Sequence, residues 1–332
     1  MPRSHIGTPD LPAAAVLPIH LPTAPSAAAP GTLADPPGER LASWLVHTGC
    51  ARPFLRAQAA RRLTVLAYGR VTDQRAFGAQ LDRLCRVAVP VSLPALEQAL
   101  AQEQPLPPRS VLITFDDADR TVLEHALPAL TARGLPAVAF VATELVGSSR
   151  PSWREEAAFL LAHGGSARAL RAGGPAARLA QLVALPDPDR RRSLHELRVS
   201  ARAGAPGRVR LTPAELRHLV AARVAVGSQC TGDPELPRCD EATVRAEVQG
   251  AHQALTGWLG AAPTAFAYPG GSPDPRTAAL LVDLGYRTAF LTDHRLSPRL
   301  PRSALQISRL PADATADPDR FEATLAGLPR RR

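Results

Sequence analysis

Asp116 and Asp117 stand side by side directly after the apolar run Val111–Phe115. Neighbouring carboxylates in such a place are electrostatically costly unless a cation or a shared proton relieves them. The pair therefore suits metal binding or general-base work. Other apolar runs also end in polar or glycine-rich clusters. Val224–Gly227 leads into Ser228-Gln229-Cys230-Thr231-Gly232-Asp233, Ala265–Tyr268 into Pro269-Gly270-Gly271, and Thr288–Thr292 into Asp293-His294. The plainer alternative is that Asp116 or Asp117 caps a helix starting near Arg120, since Asp is a favoured N-cap. Only one of two neighbours can fill that cap.

The elements that would carry these clusters follow a regular rhythm from residue 63 onward. Short apolar or β-branched runs predict strands at Leu63–Tyr68, Val111–Phe115, Ala137–Val141, Val224–Ser228, Ala265–Tyr268 and Thr288–Thr292. Amphipathic stretches predict helices at Arg75–Arg86, Leu93–Gln102, Val122–Arg133, Thr212–Ala222, Glu241–Leu259 and Asp274–Leu284. Thr212-Pro213-Ala214-Glu215 reads as a capping box with proline at the first helical position. Strands alternating with helices imply a parallel sheet, open or closed. In a closed sheet, the polar strand endings converge on one face. The arginine-rich segment 148–209 breaks the rhythm and reads as a helical insertion, either a mobile lid or a shaper of the substrate site. Residues 1–40 are rich in Pro and Ala and read as a flexible leader, with order beginning in a helix through Trp44 and Leu45. The barrel is expected to span 41–328.

With 332 residues, 45% of them hydrophobic and 21% charged, the chain is not a disordered or collagen-like protein. It has no apolar run long enough to span a bilayer. Prolines interrupt the weak apolar start, which argues against a secretory signal and for the cytoplasm. The net charge of +9 is carried by arginine alone, as there is no lysine; asparagine is absent too. Lys and Asn share A-rich codons, so their joint absence reads as a GC-rich genome. The arginines are spread along the chain and aromatics make up only 4%. Nucleic-acid binding is therefore not expected. Cys50, Cys85, Cys230 and Cys239 form no CxxC pair, so reduced thiols are expected. Cys230 and Cys239 read as small buried hydrophobes, though either lies near enough to add a thiolate to the site. Of the histidines, only His294 follows a predicted strand.

Thr114-Phe115-Asp116-Asp117 resembles TFDDG, the first motif of the polysaccharide deacetylases (the NodB-homology family, carbohydrate esterase family 4). PPRSVLITFDD, EHALPALTARGLPAVAFVAT, LTPAELRHLVAARVAVGS and AFAYPGGSPDPRTAALLVDLGYRTAF resemble the text around the family's successive motifs, and LTVLAYGRV resembles its opening strand. The likeness covers about residues 60 to 295, weakest in the insertion. It implies a distorted (β/α) barrel. It also implies hydrolysis of an N- or O-acetyl group on a carbohydrate by a water bound to a divalent metal, often zinc, held by one Asp and two His.

Position by position, the resemblance places Asp116 on the catalytic base and Asp117 on the metal-ligand Asp. The glycine of TFDDG is Ala118. In the second motif, SH(S/T)xxH, Gln229 and Asp233 stand where the two ligand histidines belong. Gly270 stands at the residue whose N–H faces the oxyanion. Ala267 replaces an arginine that orients the base in many relatives, and Tyr68-Gly69 stands where many have Tyr-His. The later leucine–x–histidine motif is missing from Leu305-Gln306-Ile307-Ser308-Arg309-Leu310.

A ligand set of Asp117, Gln229 and Asp233 offers oxygen only. It suits Mg²⁺ or Mn²⁺, held weakly, or no metal, better than the zinc the family leads one to expect. Hydrolysis impaired by loss of the histidines is the first expectation. The alternative is a catalytically inactive barrel that binds a glycan or a protein partner.

Overall fold

The computed structural model describes residues 60–327, apart from residue 118. The leader, the helix expected around Trp44 and Cys50 lie outside the described residues.

The strands are β1 (Arg62–Tyr68), β2 (Val89–Pro90), β3 (Ser110–Phe115), β4 (Ala137–Val141), β5 (Val224–Ser228), β6 (Ala265–Ala267), β7 (Thr288–Phe290), β8 (Ser297–Pro298) and β9 (Leu310–Ala312). They form a nine-stranded sheet in the order β7-β6-β5-β4-β3-β1-β8, with β2 on β3 and β9 on β1. All pairings are parallel except β1 with β8. β3 and β4 are buried along their whole length. That is why they read as unbroken apolar runs instead of alternating ones.

The sheet curls into a distorted barrel. The segment 307–312 bridges its two edges, with Ile307 bridged to Phe290 of β7 and Leu310 paired with Leu66 of β1. Leu63, Val65, Leu112, Phe140, Ala267, Phe290 and Ile307 pack into one core drawn from both edges. A second core, including Ile113, Phe115, Val141 and Phe77, lies between the sheet and its helices. The pairings Ala67↔Thr114, Val141↔Ser228, Ser228↔Phe266 and Ala267↔Phe290 bring the strand ends to one rim.

The helices are α1 (Gln74–Val87), α2 (Leu93–Ala101), α3 (Leu127–Thr131), α4 (Trp153–Ala162), α5 (Pro175–Ala184), α6 (Asp187–Ser200), α7 (Pro213–Ala221), α8 (Glu241–Leu259), α9 (Pro275–Asp283) and α10 (Pro318–Leu325). The capping box at Thr212 and Glu215 forms. The helix expected over Val122–Arg133 instead begins as a π turn, Val122–Ala126, with Leu127 N–H donating to Val122 O. Pro128 has no N–H to continue the ordinary ladder, and its ring crowds the preceding turn. The short β2, β8 and β9, each with a proline at a ladder position, carry no periodic signal of their own. Within the segment expected as an insertion, α4, α5 and α6 share a small core built on Trp153, Ala157, Leu160, Leu182, Leu194 and Leu197. No helix of the described residues is long and apolar enough to cross a membrane.

Candidate functional site

The rim gathers the residues singled out in the sequence. Asp116 and Asp117 follow β3, Gln229 and Asp233 follow β5, and Gly270 follows β6. Asp117, Cys230 and Asp233 have left-handed backbones, with φ of 71°, 65° and 54°. Such conformations cost a non-glycine residue about 1–3 kcal/mol and tend to cluster where function demands them.

Neither member of the aspartate pair serves as a helix cap. The turn that opens the helix has no side-chain cap; just before it, Asp119 Oδ1 accepts from Thr121 N at 2.9 Å and Thr121 Oγ1 at 2.7 Å. Asp116 is bound by Arg309, whose Nη1 lies 2.7 Å from its Oδ1. Arg309 is 1% exposed. Its other donors reach Leu291 O at 3.0 Å, Thr114 Oγ1 at 3.2 Å and Thr292 Oγ1 at 3.0 Å. The guanidinium carbon also stands 5.2 Å from the Phe140 ring centroid. A buried arginine needs such full pairing. Arg309 thus reaches Asp116 from the closing segment 307–312. Sequence reading overlooked Arg309. Its only signal was a cationic residue inside the segment where the leucine–histidine motif is missing.

Asp117 is half-buried. Burial, followed by the charges of Asp233, Asp116 and Glu155, pushes its carboxyl up to about 8, with Arg210 pulling the other way. Buried Arg210 holds this turn. Its Nη1 donates to Asp117 O at 2.9 Å, its Nη2 to Glu155 Oε2 at 2.8 Å and its Nε to Arg150 O at 3.1 Å.

Asp233 is 4% exposed. Gln229 Nε2 donates to its Oδ1 at 3.1 Å, and Trp153 Nε1 donates to its backbone O at 2.8 Å. Arg154 Nε lies 3.4 Å from its Oδ2. Burial raises this carboxyl to about 6, opposed by Arg154 and the Gln229 hydrogen bond and helped by Glu235 and Asp116. Arg154 Nη2 also donates to Glu235 Oε1 at 2.5 Å. Gly270 has φ +64°, and a Cβ added there would come within 2.6 Å of Glu235 Oε2 and 3.1 Å of Arg154 Nη2. The geometry thus adds Trp153, Arg154 and Glu235 to the site. Nothing in their spacing announced this, because Trp153 and Arg154 belong to the helical insertion.

The remaining candidates fall outside the chemistry. His294 sits in an exposed turn with φ 62°. Cys230 and Cys239 are buried among Leu236, Val244 and Phe266, and burial pushes both thiols up. They are small core hydrophobes.

The donors at this rim do not fit zinc. Zinc sites are built chiefly on imidazole and thiolate. Here the facing groups are carboxylates and an amide, and Asp233 is already engaged by Gln229 and Arg154. Among the described residues no group of three or more His, Cys, Asp or Glu could hold a metal ion. Gln229 Oε1 is buried with no hydrogen-bond partner and remains a spare oxygen donor. Beside Asp233 opens a cavity of about 290 Å³, lined by polar groups that include Glu144, Arg150, Ser152, Glu156 and Arg198.

A model of the polysaccharide deacetylase family matches residues 103–289. The fold is similar to that of IcaB from Ammonifex degensii, with a TM-score of 0.56 at 22% identity, covering 81% of this chain and 98% of that one. It is also similar to the deacetylase PplD from Streptococcus pyogenes, with a TM-score of 0.56 at 15% identity over 80% of this chain and 98% of that one. BC0361, a polysaccharide deacetylase from Bacillus cereus, has a TM-score of 0.51 at 15% identity over 80% of this chain and 69% of that one. At such identities these structures speak for the fold. A search of curated proteins finds no match.

Proposed function

The chain belongs to the polysaccharide deacetylase family, and on that premise we propose that it binds an acetyl-bearing carbohydrate at the rim of the barrel while its hydrolysis of the acetyl group is impaired. One observation carries the impairment. Gln229 and Asp233 stand at the positions that the resemblance gives to the two ligand histidines, and Asp233 is already engaged by Gln229 and Arg154. A carboxylate neutralised by a fixed guanidinium is a poor ligand for the cation that would acidify a water.

What survives is the base. Asp116 is anchored by Arg309 and keeps its place beside Asp117, with part of its side chain open to solvent. The polar cavity beside Asp233 offers carboxylate and guanidinium partners of the kind that sugar hydroxyls use. A second reading keeps slow hydrolysis, with Asp117, Asp233 and Gln229 holding Mg²⁺ or Mn²⁺. The unpartnered Oε1 of Gln229 favours it.

Both readings meet in one experiment. An N-acetylglucosamine oligomer is titrated by calorimetry, and acetate release is followed with and without Zn²⁺, Co²⁺ or Mn²⁺. Binding with no metal-stimulated acetate is the expected result. Metal-stimulated release that Asp233→Ala abolishes overturns the impairment. Failure of acetylated oligosaccharides to bind overturns the carbohydrate reading.

A further inference from the structure

We propose that the Arg154 guanidinium is a built-in counter-cation that stands in for the divalent metal and keeps metal ions out. This rests on the reading of the rim as a deacetylase site that has changed its chemistry. Asp233 occupies a ligand position of the family's motif, and its Oδ2 faces Arg154 Nε at 3.4 Å. The same guanidinium holds Glu235 at 2.5 Å through Nη2. One cation thus bridges carboxylates from the loop after β5, which is a metal ion's usual role at such a site.

The arginine is held there deliberately. It lies in the first turn of α4, where the positive end of the helix dipole disfavours a cation by some tenths of a kcal/mol. Helix stability therefore does not explain it. Ser152 and Glu155 close a capping box around this turn. The Arg154 guanidinium carbon lies 4.4 Å from the Trp153 ring centroid, as does that of Arg190 from α6. Trp153 in turn donates to Asp233 O at 2.8 Å. Indole, cap and carboxylates fix the guanidinium in one place. Removing the imidazoles from the motif and adding a cation from the insertion are then two halves of one change. A divalent ion entering beside Asp233 would meet a fixed positive charge and a carboxylate already paired.

Metal binding itself is the test, read without reference to turnover. Mn²⁺ is titrated into wild type and Arg154→Met by calorimetry and by loss of the free-ion paramagnetic resonance signal. Wild type is expected to take up no stoichiometric Mn²⁺. Arg154→Met is expected to bind one equivalent at least roughly tenfold more tightly, the scale on which partners of a metal site tune affinity. Asp117→Asn added to Arg154→Met should abolish that gain. One-equivalent binding by wild type, or a folded Arg154→Met protein with no gain, overturns the proposal. If Arg154→Met fails to fold in metal-free buffer, it is refolded with Mn²⁺. Rescue supports the proposal, and no rescue overturns it. Wild type that binds metal and glycan overturns this inference alone, whereas loss of glycan binding overturns only the functional reading.

Discussion

Arg309→Met should destabilise the protein strongly, because it removes a buried, fully paired cation from the rim. Asp116 has 22% of its side chain exposed against 2% for Arg309, so water can partly rescue the carboxylate once the guanidinium is gone. That places the loss near the lower end of the range for breaking a buried ion pair, about 3 kcal/mol. Leu291 O, Thr114 Oγ1 and Thr292 Oγ1 also lose a donor, which adds about 1 kcal/mol. A total of about 4 kcal/mol corresponds to a fall in melting temperature of roughly 8–16 °C for a domain of this size. Urea and thermal unfolding of Arg309→Met, Asp116→Asn and the double variant would measure it. Asp116→Asn alone leaves the buried cation unpaired. The double variant should therefore be less destabilised than the sum of the singles by about 1.5 kcal/mol or more. Additivity within about 0.5 kcal/mol, or a loss below about 1 kcal/mol for Arg309→Met, refutes the claim that this arginine holds Asp116.

Two further outcomes follow from the same geometry. In metal-free protein, Asp117 keeps a proton up to about 8, whereas its ordinary value is 3.8. The native state therefore holds more protons than the unfolded chain between those values, and stability falls as pH rises through that window. Urea midpoints between about pH 5 and pH 8 should decline for wild type and flatten in Asp117→Asn; equal slopes in the two proteins refute the assignment. Gly270→Ala forces a Cβ to within 2.6 Å of Glu235 Oε2 at a φ of +64°, and should cost about 1–3 kcal/mol in thermal unfolding. A neutral result would mean that Glu235 does not press on this glycine.

The reach of the sequence can be judged from particular residues. Ala137–Val141, Val224–Ser228 and Glu241–Leu259 were legible to the residue, because parallel strands buried on both faces and a long amphipathic helix write their pattern locally. The cap near Arg120 was not legible. Asp116, Asp117 and Asp119 all have the right chemistry, yet backbone geometry leaves the helix start without a side-chain cap and ties Asp119 to Thr121 just before it.

Primary structure on its own settled the family motif, the paired aspartates after β3 and the loss of the motif histidines, since these are matters of residue type and short spacing. Folding decided which charges meet. Arg309 reaches Asp116 across 193 positions, Arg154 reaches Glu235 across 81, and Trp153 reaches Asp233 across 80. Side chains that far apart leave no periodic trace. They come together only when the barrel closes and the inserted helices pack onto its rim.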